Sequence, residues 1–142
     1  MAAVYEDDGI RFRFPENWRL EQDEAGAGTT ISVMSPDTAF WSLTVHEASV
    51  APEAAAQAAL VALRDEYATL DAEHVSEPFG RWQAVGHDVH FLCLDLTNSC
   101  WIRAFQTPRH TLLVLYQAND LELETSEPVL RAIGQSLEVL DA

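Results

Sequence analysis

The hydrophobic period of this chain changes along its length, and that change limits the possible folds more than any single motif. In Ile10, Phe12 and Phe14 apolar residues recur at every second position, with Arg11 and Arg13 between them, which is the period of a half-buried strand. Pro15 removes the next ladder donor and ends that strand, and Trp18 is placed to fold back over its apolar face. Beyond an acidic loop from Glu21 to Gly28, residues 29–36 and 40–46 read as two more strands. Pro36-Asp37 turns them into a hairpin.

From Pro52 to Leu70 the period lengthens. Ala56, Leu60, Leu63, Tyr67 and Leu70 recur at three- and four-residue steps while Arg64, Asp65 and Glu66 face away, the pattern of one long amphipathic helix. Pro52 suits its first turn and Glu53 its positive end. After His74 the strand period returns over 74–79, 82–95, 100–106 and 111–118, joined at Gly80, at Asn98 and at Thr107-Pro108-Arg109. Ser126-Glu127-Pro128 then opens a short second helix carrying Val129, Leu130, Ile133 and Leu137. Strands, helix, a meander of strands and helix predict an α+β fold, an antiparallel sheet flanked by one long and one short helix, and exclude a doubly wound parallel sheet. A chain of 142 residues, 48% hydrophobic, fits a single domain over 1–142 with a proper core.

Charge removes several functions. All 8 cationic residues are arginine against 23 acidic residues, a formal charge of -15, so no basic stripe exists to neutralise phosphates. The charge balance argues against nucleic acid and anionic membrane surfaces as partners. The start, Met1 to Asp8, has neither a basic nor an apolar leader region, and the longest later apolar run, Leu112 to Tyr116, is too short to span a bilayer. A cytoplasmic chain without membrane insertion is expected. Cys93 and Cys100 are expected to be reduced. They flank a predicted tight turn at Thr97-Asn98 that pairs Cys93 with Ile102 and Cys100 with Asp95.

No motif carries chemistry strongly. His87 and His90 stand three apart on a strand and point to opposite faces, so they do not share a metal ion unless the strand bulges. His46, His74 and His110 lack partners at ligand spacing. Gly26-Ala27-Gly28 precedes a strand rather than a helix and lacks the lysine of a phosphate loop. No serine sits in a nucleophile elbow, and the thiols of Cys93 and Cys100 read as packing rather than as catalytic groups. The paired carboxylates Asp7-Asp8, Asp23-Glu24, Asp65-Glu66 and Glu122 with Glu124 lie in expected loops or on a polar helix face. No catalytic residue, metal ligand or cofactor is assigned. Of the four tryptophans, Trp18 and Trp101 read as core. Trp41 and Trp82 begin strands, where core packing is the first reading and a partly exposed interface anchor the second.

The stretch Phe12-x-Phe14-Pro15-x-x-Trp18 resembles the opening of the PsbP-like fold, shared by the photosystem II extrinsic protein PsbP, the Ran guanine-nucleotide release factor and many small bacterial proteins. The resemblance continues through the hairpin ending at Ser35-Pro36, the alanine-rich helix after Val45, the strand begun at Gly86, the three-strand meander and the final helix through Ile133-Gly134-Gln135-Ser136-Leu137. It implies a PsbP-like sandwich whose members act mainly by binding proteins. Bacterial cytoplasmic relatives include adaptor chaperones for type VI secretion effectors, which work as homodimers shielding apolar effector segments. The leading expectation is therefore a non-enzymatic protein-binding or adaptor domain acting through one sheet face, with an apolar patch of several hundred Å² that includes Trp41 or Trp82. A second reading is a small-molecule carrier or enzyme with a pocket between sheet and helix, lined by aromatics and by polar groups such as His90, Cys93 or Tyr116. A third is a domain that stabilises a larger assembly by self-association.

Overall fold

The computed structural model of the chain describes residues 2–25 and 28–140. Three strands, β1 (Ala2–Asp7), β2 (Ile10–Pro15) and β10 (Glu138–Val139), form a small antiparallel sheet with β2 in the middle. Seven more form the main sheet: β3 (Arg19–Ala25), β4 (Gly28–Met34), β5 (Phe40–Glu47), β6 (Leu70–Phe79), β7 (Trp82–Cys93), β8 (Leu96–Gln106) and β9 (His110–Asn119). Their spatial order is β3-β4-β5-β9-β8-β7-β6, with every neighbouring pair antiparallel. The helices are α1 (Pro52–Glu66) and α2 (Leu123–Gln135). Neither is long and apolar enough to cross a membrane.

Strand alternation divides the core between the two faces of the main sheet. On one side Val89, Phe91, Cys100, Ile102, Ala104 and Leu113 pack beneath Ala55, Ala56 and Leu60 of α1. On the other, Ile31, Val33, Trp41, Leu43, Phe105, Val114 and Tyr116 meet the inward residues of β2 together with Leu130 and Ile133 of α2. Because β8 and β9 are covered on both faces, they are apolar almost without interruption. Helix α2 packs on β9, β5 and β2. The same face of β6 and β7 stretches past it, with Asp71, Glu73 and Glu77 exposed there.

The expected α+β architecture holds, with four local corrections. The stretch from Glu21 expected as an acidic loop is largely β3, an edge strand that turns little apolar surface inward and whose charges keep that edge from pairing further. The N-terminal residues, expected only to lack a leader, form β1, whose Tyr5 stacks on Phe12 at 5.1 Å. Helix α1 stops at Glu66, so Leu70 begins β6. Helix α2 starts a turn before Pro128, with the Thr125 and Ser126 amides donating to the Glu122 carbonyl, and at 13 residues is nearly as long as the 15 of α1.

The β7-β8 turn also falls three residues earlier than expected, at Leu94-Asp95, where both residues have positive φ, 53° and 62°. Cys93 therefore faces Leu96 and Cys100 faces Val89. A two-residue turn of this hand normally uses Asn-Gly or Asp-Gly. Leu-Asp carries no such signal, and Asn98, the apparent turn residue, is instead buried with its side-chain amide donating to the Leu96 carbonyl. Gly26 and Ala27 lie outside the described residues.

Candidate functional site: a two-chamber cleft beside helix α2

The tight β6-β7 hairpin turns at Gly80, whose φ of 61° suits glycine. It sets Phe79 and Trp82 opposite each other as a cross-strand pair. Phe105 of β8 stacks on both rings, at 5.3 Å from Phe79 and 6.0 Å from Trp82, and the Arg81 guanidinium covers Trp82 at 4.6 Å. Facing this aromatic wall are the C-terminal end of α2 and the strand β10. The Arg13 amide donates to the Ser136 hydroxyl, Val139 pairs with Ile10, and the Leu140 amide donates to the Gly9 carbonyl, so this last segment is anchored along β2. Between the two walls lies an outer chamber of about 600 Å³.

An inner chamber of about 240 Å³ adjoins it beside α2, with Phe79, Gly80, Gly134 and Gln135 as shared walls and Glu77, Arg103, Tyr116 and Arg131 added. Arg103 is only 4% exposed. Its Nε donates to Glu77 at 2.7 Å, one terminal nitrogen to Asp88 at 2.7 Å, and the other to the carbonyls of Ile102 and His87 at 2.9 and 3.2 Å. Burial works against its charge, but the hydrogen bonds to Asp88 and Glu77 and their negative charges outweigh it, and its pKa lies above the usual value. Glycine at position 86, the cross-strand neighbour of Arg103, lets β7 and β8 approach closely: a Cβ there would stand 1.7 Å from the Ile102 carbonyl oxygen.

Tyr116 stacks on Trp101 at 4.9 Å and is 6% exposed, yet its hydroxyl makes no hydrogen bond among the described residues. Burial raises its pKa, partly offset by Arg131 and Arg103, so the hydroxyl keeps its proton and stays a donor. Arg131 gives its Nε to Glu127 at 2.8 Å and lies 6.0 Å over the Trp101 ring. At the junction of the chambers Gly134 leaves space that a Cβ would fill at 3.3 Å from Phe79. The same Cβ would lie 3.7 Å from Nε1 of Trp41, a buried donor without an acceptor among the described residues.

Trp41 is thus corrected as a surface anchor. It is fully buried, 4.8 Å from the Phe12 ring, and offers nothing to a partner. Trp82 is half-buried and forms a wall of the cleft. Of the polar groups expected around a pocket, only Tyr116 lines it. His90 is exposed, and Cys93 lies with Cys100 on the α1 side, where burial pushes the Cys100 thiol up to about 12. His87 and His90 do point to opposite faces. His87 is buried against His74 at 5.5 Å, and His74 is hydrogen-bonded to Glu53 at 2.8 Å. No group of three metal-ligating side chains occurs among the described residues. Sequence reasoning missed Arg103 and its acidic partners, although a lone arginine within Trp101-Ile102-Arg103-Ala104-Phe105 was a visible signal. The exposed large apolar residues Val4, Val61, Leu92, Leu94 and Leu121 lie outside the cleft; Leu140 lines it.

By sequence, no family model and no curated protein matches this chain. Solved structures do. Cyanobacterial PsbP (CyanoP) from Synechocystis sp. PCC 6803 superposes with a TM-score of 0.71 over 97% of this chain and 92% of that one, at 12% identity. The chain has the PsbP-like fold. LpqN of Mycobacterium tuberculosis, involved in cell envelope biogenesis, matches with a TM-score of 0.56 over 99% of this chain and 91% of its own, at 14% identity. A protein of Bacteroides thetaiotaomicron matches with a TM-score of 0.59 over 92% of this chain but 45% of its own, also at 14% identity. At these identities the likeness is one of PsbP-like architecture.

Proposed function

We propose that this PsbP-like chain is a non-catalytic binding domain that takes an apolar segment of a partner protein into the cleft beside α2, with Trp82 as the anchor. The observation that carries this reading is the pair of half-buried rings Phe79 and Trp82, each stacked on the fully buried Phe105 ring, at an open cleft beside α2. Aromatic surface in such a place gains roughly 25 cal/mol for each Å² removed from water. The inner polar groups favour holding over reacting, since Arg103 is bound by two carboxylates and Tyr116 resists ionisation. Both cysteines are free, which suits a reducing compartment such as the cytoplasm.

The test is a photo-crosslinking residue at position 82 of the full chain in its native cell, with the same residue at the exposed Val61 of α1 as control. One dominant adduct from position 82, absent from position 61, is expected. An adduct of twice the chain's mass would make the partner a second copy. The same adducts from both positions would sink the reading.

A further inference from the structure

We infer that the histidine pair His74 and His87, set between the edge strand β6 and helix α1, is an acid-sensitive latch. With His87 neutral the pair ties β6 to α1 through Glu53, and with both rings protonated it loosens α1 and β6 from the sheet. The two rings stand directly opposite each other on β6 and β7, edge to face with centroids 5.5 Å apart, on the sheet face that α1 packs against. Their surroundings differ. The His74 side chain is 52% exposed, and its Nε2 lies 2.8 Å from Glu53 in the first turn of α1. His87 is only 7% exposed.

The His74 contact is the one hydrogen bond between α1 and β6 among the described residues. His74 makes it as a neutral Nε2–H donor or as an imidazolium, so a proton on that ring meets both a carboxylate and solvent. A proton on His87 is met by neither. Burial holds the His87 pKa below the ordinary histidine value; His74 pushes the same way, Glu53 opposes it, and Arg64 of α1 and Arg103 of β8 add to the depression. Glu53, the carboxylate that opposes it, is already bonded to His74. Arg103 lies toward the other face of the sheet, where Glu77 and Asp88 balance its charge. Two protonated rings would therefore stand opposite each other on neighbouring strands with one carboxylate between them, an arrangement that like-charge repulsion disfavours.

The elements on either side are the ones least able to resist. Strand β6 is the edge of the main sheet and pairs only with β7. Helix α1 has Ala55, Ala56 and Leu60 as its buried residues, and two alanines remove little apolar area from water. Beneath it lie Val89 and Phe91 of β7, an apolar surface that the neutral latch keeps covered. The sign follows from His87 holding its proton less tightly when buried than the ordinary value of 6.5. The closed state is fully favoured above that pH, and below it the opened state takes up the proton, raising the opening constant by up to about tenfold per pH unit.

Hydrogen exchange of the full chain, read segment by segment and corrected for intrinsic rates, compares about pH 7.5 with about pH 5. Segments α1 and β6 are expected to exchange at least about tenfold faster at the lower pH, while β9 keeps its protection. His87→Gln, which stays polar but cannot take a charge, is expected to abolish the acid effect, and His74→Gln to reduce it. In the unsubstituted chain the His87 ring proton, followed by NMR, is expected to titrate below about pH 6.5 and in step with the exchange, a readout that stands even where His87→Gln does not fold. Acid acceleration of equal size in His87→Gln, or a His87 ring that titrates at or above about pH 6.5, overturns the latch. So does acceleration that reaches β9 equally, because the opening is then global unfolding.

Discussion

Replacing Gly86 with alanine tests how the inner chamber is built. The new Cβ would lie 1.7 Å from the Ile102 carbonyl oxygen, 2.6 Å from its carbon and 3.2 Å from the Arg103 Cα. A carbon and a carbonyl oxygen approach to about 3.3 Å at closest, so β7 and β8 would have to part by roughly 1.5 Å. All three contacts are backbone, so no side chain can swing aside to relieve them. Parting the strands weakens ladder hydrogen bonds worth about 1 kcal/mol each. It also draws the His87 carbonyl and Asp88, both on β7, away from the buried Arg103. Breaking a buried ion pair costs about 3–5 kcal/mol. A loss of about 4 kcal/mol is expected, a large part of the roughly 5–15 kcal/mol that holds a domain together. For a chain of this length that corresponds to a fall in melting temperature of about 8–16 °C. Urea unfolding followed by tryptophan fluorescence, with a thermal melt beside it, measures both. A loss under about 1 kcal/mol would refute the reasoning, since it would show that the strands can part without disturbing Arg103.

Asp88→Ala leaves Arg103 with Glu77 as its one carboxylate among the described residues and should cost about 2–3 kcal/mol in the same urea assay. Replacing Leu94-Asp95 with Asn-Gly relieves two left-handed residues, one of them a leucine 92% exposed, and should stabilise by about 1 kcal/mol or more, read as a higher melting temperature. A thiol reagent at pH 8 should modify the partly exposed Cys93 in the native chain and reach Cys100 only in urea. Because burial raises Cys100 from 9.0 to about 12, the folded state holds its proton more tightly than the unfolded state. Its contribution to stability is complete below pH about 9 and is lost as pH climbs toward about 12, so melting temperatures should fall across that interval. The raised values of Tyr5, Tyr67 and Tyr116 act in the same direction.

Elements that bury a continuous face were legible in the sequence. The alternation of β2, the β4-β5 hairpin and the long apolar strands β8 and β9 each declare a period over many residues. Elements at the margins were not. An edge strand pairs on one side only, so β3 can be built from Glu21, Gln22, Asp23 and Glu24 with Leu20 as its larger inward apolar residue. The turn at Leu94-Asp95 is imposed by the pairing of β7 with β8, which overrides the local preference of a leucine for negative φ. Helix α2 extends a turn before the proline that seemed to open it because the Glu122 carbonyl already receives the Thr125 and Ser126 amides.

The candidate site was the least legible part. Alternation separates the residues of a strand onto two faces, but it does not say which face a helix will cover or how far along the sheet. That is why Trp41 and Trp82, each at a strand start, end in opposite environments, one sealed beneath β2 and α2 and the other beside an open cleft. Composition and period by themselves determined an antiparallel α+β fold and a strongly acidic chain. Only the tertiary structure brought Arg103, Tyr116 and Arg131, from β8, β9 and α2, to one chamber beside the Phe79-Phe105-Trp82 wall. The physical reason is that cross-strand pairing and the resting place of α2 are long-range packing outcomes, set where apolar area is buried, and no local stretch of sequence encodes them.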